Sequence, residues 1–218
     1  MLPTGETALT NGDADLREQI VNASLRLFRE KGYRATSLKD ILSAAKCSTG
    51  GFYHHFASKD DLLFLIHDKF ITEGLERCQA IHDRKDTATN RLSDVMIEIV
   101  QNVSRWRDHV TVFFEERRFL SSEKFAIVLQ KRETYDRLVK DIIQDGIRDG
   151  EFDPDIPASI IAFGIYGMVH WTYQWMRPDG SLTAQQIGEC FAKIAMHGLV
   201  TPARNPAKDA TGVRIAAS

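Results

Sequence analysis

The 218 residues carry 43% hydrophobic and 27% charged side chains with a formal net charge of −2, a balance ordinary for a soluble globular protein able to bury a core. That length fits one large domain, or a small domain joined to a larger one. Three scattered cysteines (Cys47, Cys78 and Cys190) form no CxxC pair, and no cationic start leads into an apolar stretch. Both features argue for reduced thiols and a cytoplasmic location rather than a secreted disulfide framework.

In chain order, residues 1–14 are rich in Gly, Thr and Asp without periodicity and are expected to form a disordered lead. Leu16, Ile20, Ala23 and Leu27 then recur at helical spacing with Phe28 beside them, and Gly32 supplies a stop. A short second helix starts at Thr36 and Ser37, with Asp40 three residues after Ser37 as a capping partner. Its apolar face is Leu38, Ile41, Leu42 and Ala45. After a turn at Lys46 and Cys47, Ser48 caps a third helix that runs to Phe56. Ser58, with Asp61 three residues on, opens a fourth over residues 58–75.

The pattern beyond stays helical. Leu92, Val95, Met96, Ile99, Val103 and Trp106 mark one stripe, a segment of about 108–120 follows, and a long helix over 123–147 stops at Asp149-Gly150. Pro157 begins another, and Thr183 to Gln186 read as a capping start for the last. The apolar run 156–176 carries Pro157, His170 and two glycines, which reads as a buried helix rather than a membrane span. No stretch alternates with period two, so the fold class is all-α with about nine helices. The tail 201–218 is expected to be disordered.

Charge is unevenly placed. Residues 16–59 hold eight Lys and Arg against three Asp and Glu, whereas residues 60–218 hold 20 against 24. A basic surplus confined to one short segment is the footprint of a small DNA-reading domain. The seven histidines form no HExxH pattern, and His54 and His55 point about 100° apart on a helix, so no metal and no cofactor are expected.

Two short helices joined by a tight turn have helix-turn-helix dimensions. The decisive string is Ser48-Thr49-Gly50-Gly51-Phe52-Tyr53-His54-His55-Phe56-Ala57-Ser58-Lys59-Asp60-Asp61-Leu62. It resembles the recognition-helix signature of the TetR family, Ser-x-Gly-x-x-Tyr-x-x-Phe-x-Ser-Lys-(Glu/Asp)-x-Leu. Residues 32–41 resemble the joint between that family's first two helices, so the likeness covers roughly residues 17–66. It implies a helix-turn-helix DNA-binding domain at 15–60, a ligand-binding and dimerisation domain at 61–200, and a homodimer released from operator DNA by a small molecule.

The residues fit that implication. Phe52 and Phe56 stand four apart and can anchor the recognition helix, leaving Tyr53 and His54 outward near phosphates. Lys59, Thr36, Ser37 and Ser48 sit at helix starts, where an anion is favoured. Base edges fall to Thr49, Gly50 and Gly51, with Lys39 and Lys46 as long-armed readers. Two adjacent glycines in one helix cost about 1 kcal/mol each relative to Ala, which close approach of backbone to DNA would explain. Lys46 holds the turn position where the family often has Gly, so a positive φ there would strain it.

For the larger domain the resemblance implies a pocket and a dimer face. Trp106, Phe113, Phe114, Tyr135, Tyr166, His170, Trp171 and Trp175 are candidate lining, with Arg117 and Arg177 among the arginines for an anionic group. Gly164, Gly167, Gly188, Ala192 and Ala195 are candidate close-packing residues of a dimeric four-helix bundle. Residues 175–188 resemble members controlling fatty-acid and steroid-ring catabolism, which answer to acyl-CoA thioesters. Two other classes remain open, a helical adaptor that binds no DNA and an enzyme without a recognisable motif. No GxSxG, Walker A or GxGxxG string is present, and no enzyme is expected.

Overall fold

The computed structural model describes residues 11–199, so the expected tail and most of the expected lead lie outside the described residues. Residues 11–14 of that lead are already helical. The helices are α1 Asn11–Lys31, α2 Leu38–Ala44, α3 Thr49–His55, α4 Lys59–His82, α5 Ala88–Arg105, α6 Arg107–Glu116, α7 Ser122–Arg148, α8 Ala158–His170, α9 Thr172–Trp175 and α10 Ala184–Leu199. A 3-10 turn, Arg117–Phe119, joins α6 to α7. α9 is a single turn, the other nine are longer, and no sheet occurs among the described residues.

Local chemistry sets most of the ends. Ser37, Ser48, Ser58 and Thr87 each accept from a backbone N–H three residues on, capping α2 to α5. Gly150 closes α7 at φ 78°, donating to the Ile147 carbonyl while Glu151 N–H reaches back to Gly146, a Schellman close. Gly146 is needed there for another reason. A Cβ on it would lie 2.3 Å from the ring of Phe152, which plugs the end of the core.

Two apolar clusters organise the packing. One gathers Ile20, Phe28, Ile41, Phe52, Phe56, Leu62 and Ile66 from α1 to α4 and continues into Val112, Phe113 and Val128. The other joins α5, α7, α8 and α10 through Leu92, Met96, Val139, Ile142, Ile161, Ile165 and Ile187. α4 runs on to His82 rather than ending near residue 75, because Gly74 lies under Asn102 of α5 instead of breaking the helix. The apolar run is not one buried helix either. Trp171 separates α8 from α9, where the Thr172 hydroxyl donates to the Val169 carbonyl at 2.6 Å. No helix among the described residues is long and apolar enough to cross a membrane.

Candidate functional site

The first site is the surface formed by α2, α3 and their turn. Ser37 and Asp40 make a reciprocal capping box, with the Asp40 carboxylate accepting from the Ser37 N–H at 2.9 Å and its hydroxyl at 2.7 Å. Those bonds, the hydroxyl first, hold Asp40 down to about 2. α2 ends in a Schellman close, Cys47 N–H to the Leu42 carbonyl and Lys46 N–H to that of Ser43, with Lys46 left-handed at φ 50°. Ser48 then caps α3, accepting from Gly51 N–H at 3.0 Å. Phe52 and Phe56 are buried, which turns the opposite side of α3 outward.

Lys39, Lys46, Ser48, Thr49, Gly50 and His54 are exposed there, and Tyr53 keeps 54% of its surface open. A Cβ on Gly50 would meet only Ser48 Oγ, at 3.9 Å, and one on half-buried Gly51 would meet ordinary contacts at 3.4 Å. Packing within the chain therefore requires neither glycine.

Three of the expected contacts have other work. Thr36 is fully buried, and its hydroxyl satisfies the Gly32 and Leu27 carbonyls at the end of α1. The Ser37 hydroxyl both accepts and donates inside its own box. Lys59 reaches back to donate to the Tyr33 and Thr36 carbonyls at 2.8 and 2.7 Å, 4.2 Å over the Tyr33 ring. Burial lowers its pKa, and it clips the α1–α2 connection onto α4 rather than standing free for a phosphate.

The second site is a cavity of about 480 Å³ between α4, α5, α6, α7 and α8. Its walls are Phe70, Ile71 and Gly74 of α4; Glu98, Ile99, Asn102 and Val103 of α5; Val110, Phe113 and Phe114 of α6; Leu129, Arg132, Glu133, Tyr135 and Asp136 of α7; and Phe163, Tyr166 and His170 of α8. Of the expected lining, Phe113, Phe114, Tyr135, Tyr166 and His170 face it. Trp106 does not, because its indole N–H donates to Glu73 at 2.8 Å. Trp175 and Arg177 line a separate recess of about 300 Å³ beside α10, and Trp171 lines neither. Arg117 stands just outside the wall, over the Phe113 ring.

The cavity is apolar with a polar side. Burial, and Arg132 next, push His170 down to about 4, and its Nδ1 lies 3.2 Å from the Tyr166 carbonyl. Burial, then Asp136, raises the Tyr166 phenol. Tyr166 Oη, Asp136 Oδ1 and Asn102 Oδ1 are buried without hydrogen-bond partners. Arg132, Asn102, Glu98 and Asp136 were not singled out in the sequence. Arg132 carried no signal beyond its charge on the long helix.

Two connections run from the cavity to the reading surface. α6 supplies Phe113 to the wall, and one turn on buried Glu116 accepts from the Tyr33 N–H at 3.1 Å, at the joint after α1. Arg29 of α1 pairs with Asp108 of α6 at 2.5 Å. α4 is held along α7 by Lys124 to Asp60 and Asp61, and by Lys131 to Asp68. α4 and α6 thus both reach from the cavity toward the reading domain.

The outer face of α8 and α10 is apolar and open. Ile160, Phe163, Trp171 and Ile194 are each more than half exposed, and a Cβ on Gly164 or Gly167 meets nothing within 4 Å. Gly188, Ala192 and Ala195 face inward instead. A Cβ on Gly188 would lie 2.7 Å from Ile97 Cα, and the two alanines are buried, so they pack within this chain and not at a dimer seam. No group of three metal-ligating side chains occurs among the described residues.

Residues 20–66 match the model for bacterial regulatory proteins of the tetR family, and residues 85–199 match that for the tetracyclin repressor-like C-terminal domain. The HTH-type transcriptional repressor KstR2 of Mycobacterium tuberculosis is 27% identical over 184 residues, covering 84% of this chain and 92% of that protein. KstR2 of Rhodococcus jostii is 25% identical over 195 residues, 88% of this chain and 95% of that one. Among solved structures, the ketosteroid transcriptional regulator KstR2 of M. tuberculosis superposes with a TM-score of 0.79 at 26% identity, covering 85% of this chain and 95% of its own. AibR in complex with isovaleryl coenzyme A and operator DNA gives 0.72 at 27% identity, over 82% and 97%.

Proposed function

The chain belongs to the TetR family of bacterial regulatory proteins, and we propose that it is a cytoplasmic homodimeric repressor released from its operator by an acyl-CoA thioester. It is a ligand-responsive, DNA-binding transcription regulator. The observation that carries the DNA-reading assignment is that α3 presents Thr49, Gly50, Tyr53 and His54 to solvent, with a glycine first turn that its own chain does not need. Ser48, Tyr53 and His54 take phosphates. Thr49, Gly50 and Gly51 approach base edges, with Lys39 and Lys46 reaching beside them. Residues 15–60 form the DNA-binding domain and residues 61–200 the ligand-binding and dimerisation domain.

So short a reading helix needs two half-sites, and the open apolar face around Gly164 and Gly167 is the surface for a second copy. The cavity is of a size that suits a small apolar ligand. Relatives named for ketosteroid regulation and for isovaleryl-CoA binding support a ring-derived or branched acyl-CoA. A ligand shifts DNA affinity only through unequal affinity for the two conformations. Filling the cavity displaces α4 and α6, and both are tied to the reading surface.

Selection of bound duplexes from a random pool, repeated with a panel of acyl-CoAs, tests the proposal. A palindromic site lost on adding one thioester is the expected outcome. No enrichment of any sequence would favour a helical adaptor that binds no DNA.

A further inference from the structure

The geometry points to an anion subsite at the mouth of the cavity, in which Arg117 and Arg132, both over the Phe113 ring, bind the anionic oxygens of a ligand whose apolar part fills the cavity. The subsite rests on the reading that the cavity is the ligand site. Its basis is an imbalance of charge. Among the wall carboxylates, Glu98 is engaged by Arg105 at 3.1 Å and Arg77 at 3.3 Å, and Asp136 by Lys140 at 2.6 Å. Arg132 and Arg117 make no ion pair among the described residues, and neither does Glu133 beside them.

The two guanidinium centres lie 5.2 and 5.8 Å from the centroid of the same aromatic ring. They repel each other, and burial together with Arg117 lowers the pKa of Arg132. Two like charges brought to one apolar ring, with Glu133 the one free wall carboxylate beside them among the described residues, leave a positive surplus that an anion completes. Arg132 lines the cavity with part of its side chain covered and part open to solvent, and Arg117 is exposed on the 3-10 turn, which puts the pair at the opening. The buried Tyr166 hydroxyl on the same wall is a further donor for an oxygen that enters. A carboxylate and a CoA phosphate share this chemistry.

Calorimetric titration of the full chain with decanoate, decanoyl-CoA and methyl decanoate separates the sources. In the Arg117→Gln/Arg132→Gln double variant, whichever anionic probe uses the subsite should lose roughly tenfold in affinity, with the neutral ester unchanged. Loss confined to decanoate identifies a carboxylate, and loss confined to decanoyl-CoA a phosphate. Ile99→Trp, which fills the cavity, should weaken all three. Unchanged affinity for both anions, or equal loss for the ester, overturns the subsite and leaves the cavity assignment intact. If the unmodified protein binds none of the three, or Ile99→Trp leaves binding untouched, the cavity assignment falls and the subsite with it.

Discussion

Lys46→Gly should make the protein more stable while weakening its hold on DNA. Lys46 is the one non-glycine among the described residues with positive φ, at 50°, and its backbone sits inside the hydrogen-bonded close of α2. For a residue with a Cβ that conformation costs about 1–2 kcal/mol. Glycine removes the strain but adds about 0.4–1 kcal/mol of unfolded-chain entropy, leaving a net gain of about 0.5–1 kcal/mol. With a urea m-value of about 2 kcal/mol/M, the midpoint should rise by about 0.3–0.5 M at fixed protomer concentration. Lys46→Ala keeps the strain and loses the charge, so its midpoint should stay near that of the unmodified protein. Both variants should flatten the salt dependence of operator binding by about one unit, since each removes an exposed cation. Equal midpoints for the glycine and alanine variants would refute the strain argument, whatever happened to DNA binding.

Acid should destabilise the fold through buried histidines. Both His67 ring nitrogens are buried without partners, and burial first, then His109, pushes the group down to about 3. Its folded pKa lies below the unfolded value of about 6.5, so its contribution is present above that pH and is lost as pH falls toward 3, about 2 kcal/mol of it between pH 7 and 5. His67→Phe should shrink the fall in urea midpoint over that interval, and an unchanged fall would show that the ring is hydrated. Gly188→Ala should cost roughly 1–3 kcal/mol by pressing on Ile97 without changing the sedimentation coefficient, whereas Gly164→Leu should shift sedimentation toward monomer. The same effect from both would mean they share a face. Lys59→Ala should cost about 1–3 kcal/mol through two lost bonds to carbonyls and leave the operator salt slope alone. A slope reduced by one would instead place that ammonium on a phosphate.

What was legible in the sequence was local. Ser37 with Asp40, Ser48 before a glycine pair, and Ser58 with Asp61 announce helix starts because the cap and its partner lie within three residues. The strain at Lys46 was readable for the same reason, since a turn of fixed length requires one left-handed residue. The cavity was not readable, because five helices supply its wall and no one of them shows which side of Arg132 or Asn102 meets the void. Gly164 and Gly188 show the same limit. Each is a small residue on an apolar helix, and only the position of α5 decides that one is filled by Ile97 and the other left open. Thr36 and Lys59 matched a phosphate-binding pattern by type and place, and lost that reading to carbonyls that only the folded joint brings near.

The lysine pairs that pin α4 to α7 give the regulator a sensitivity to the ionic strength of its surroundings. Lys124 and Lys131 grip Asp60, Asp61 and Asp68 within the first three turns of α4, next to the reading surface. These groups are only partly buried, so mobile ions compete for them, as they do for phosphates along the operator. Added salt therefore loosens two contacts at once, one outside the protein and one that resists movement of α4 within it. The ligand concentration needed for release should fall with rising salt faster than operator affinity alone accounts for.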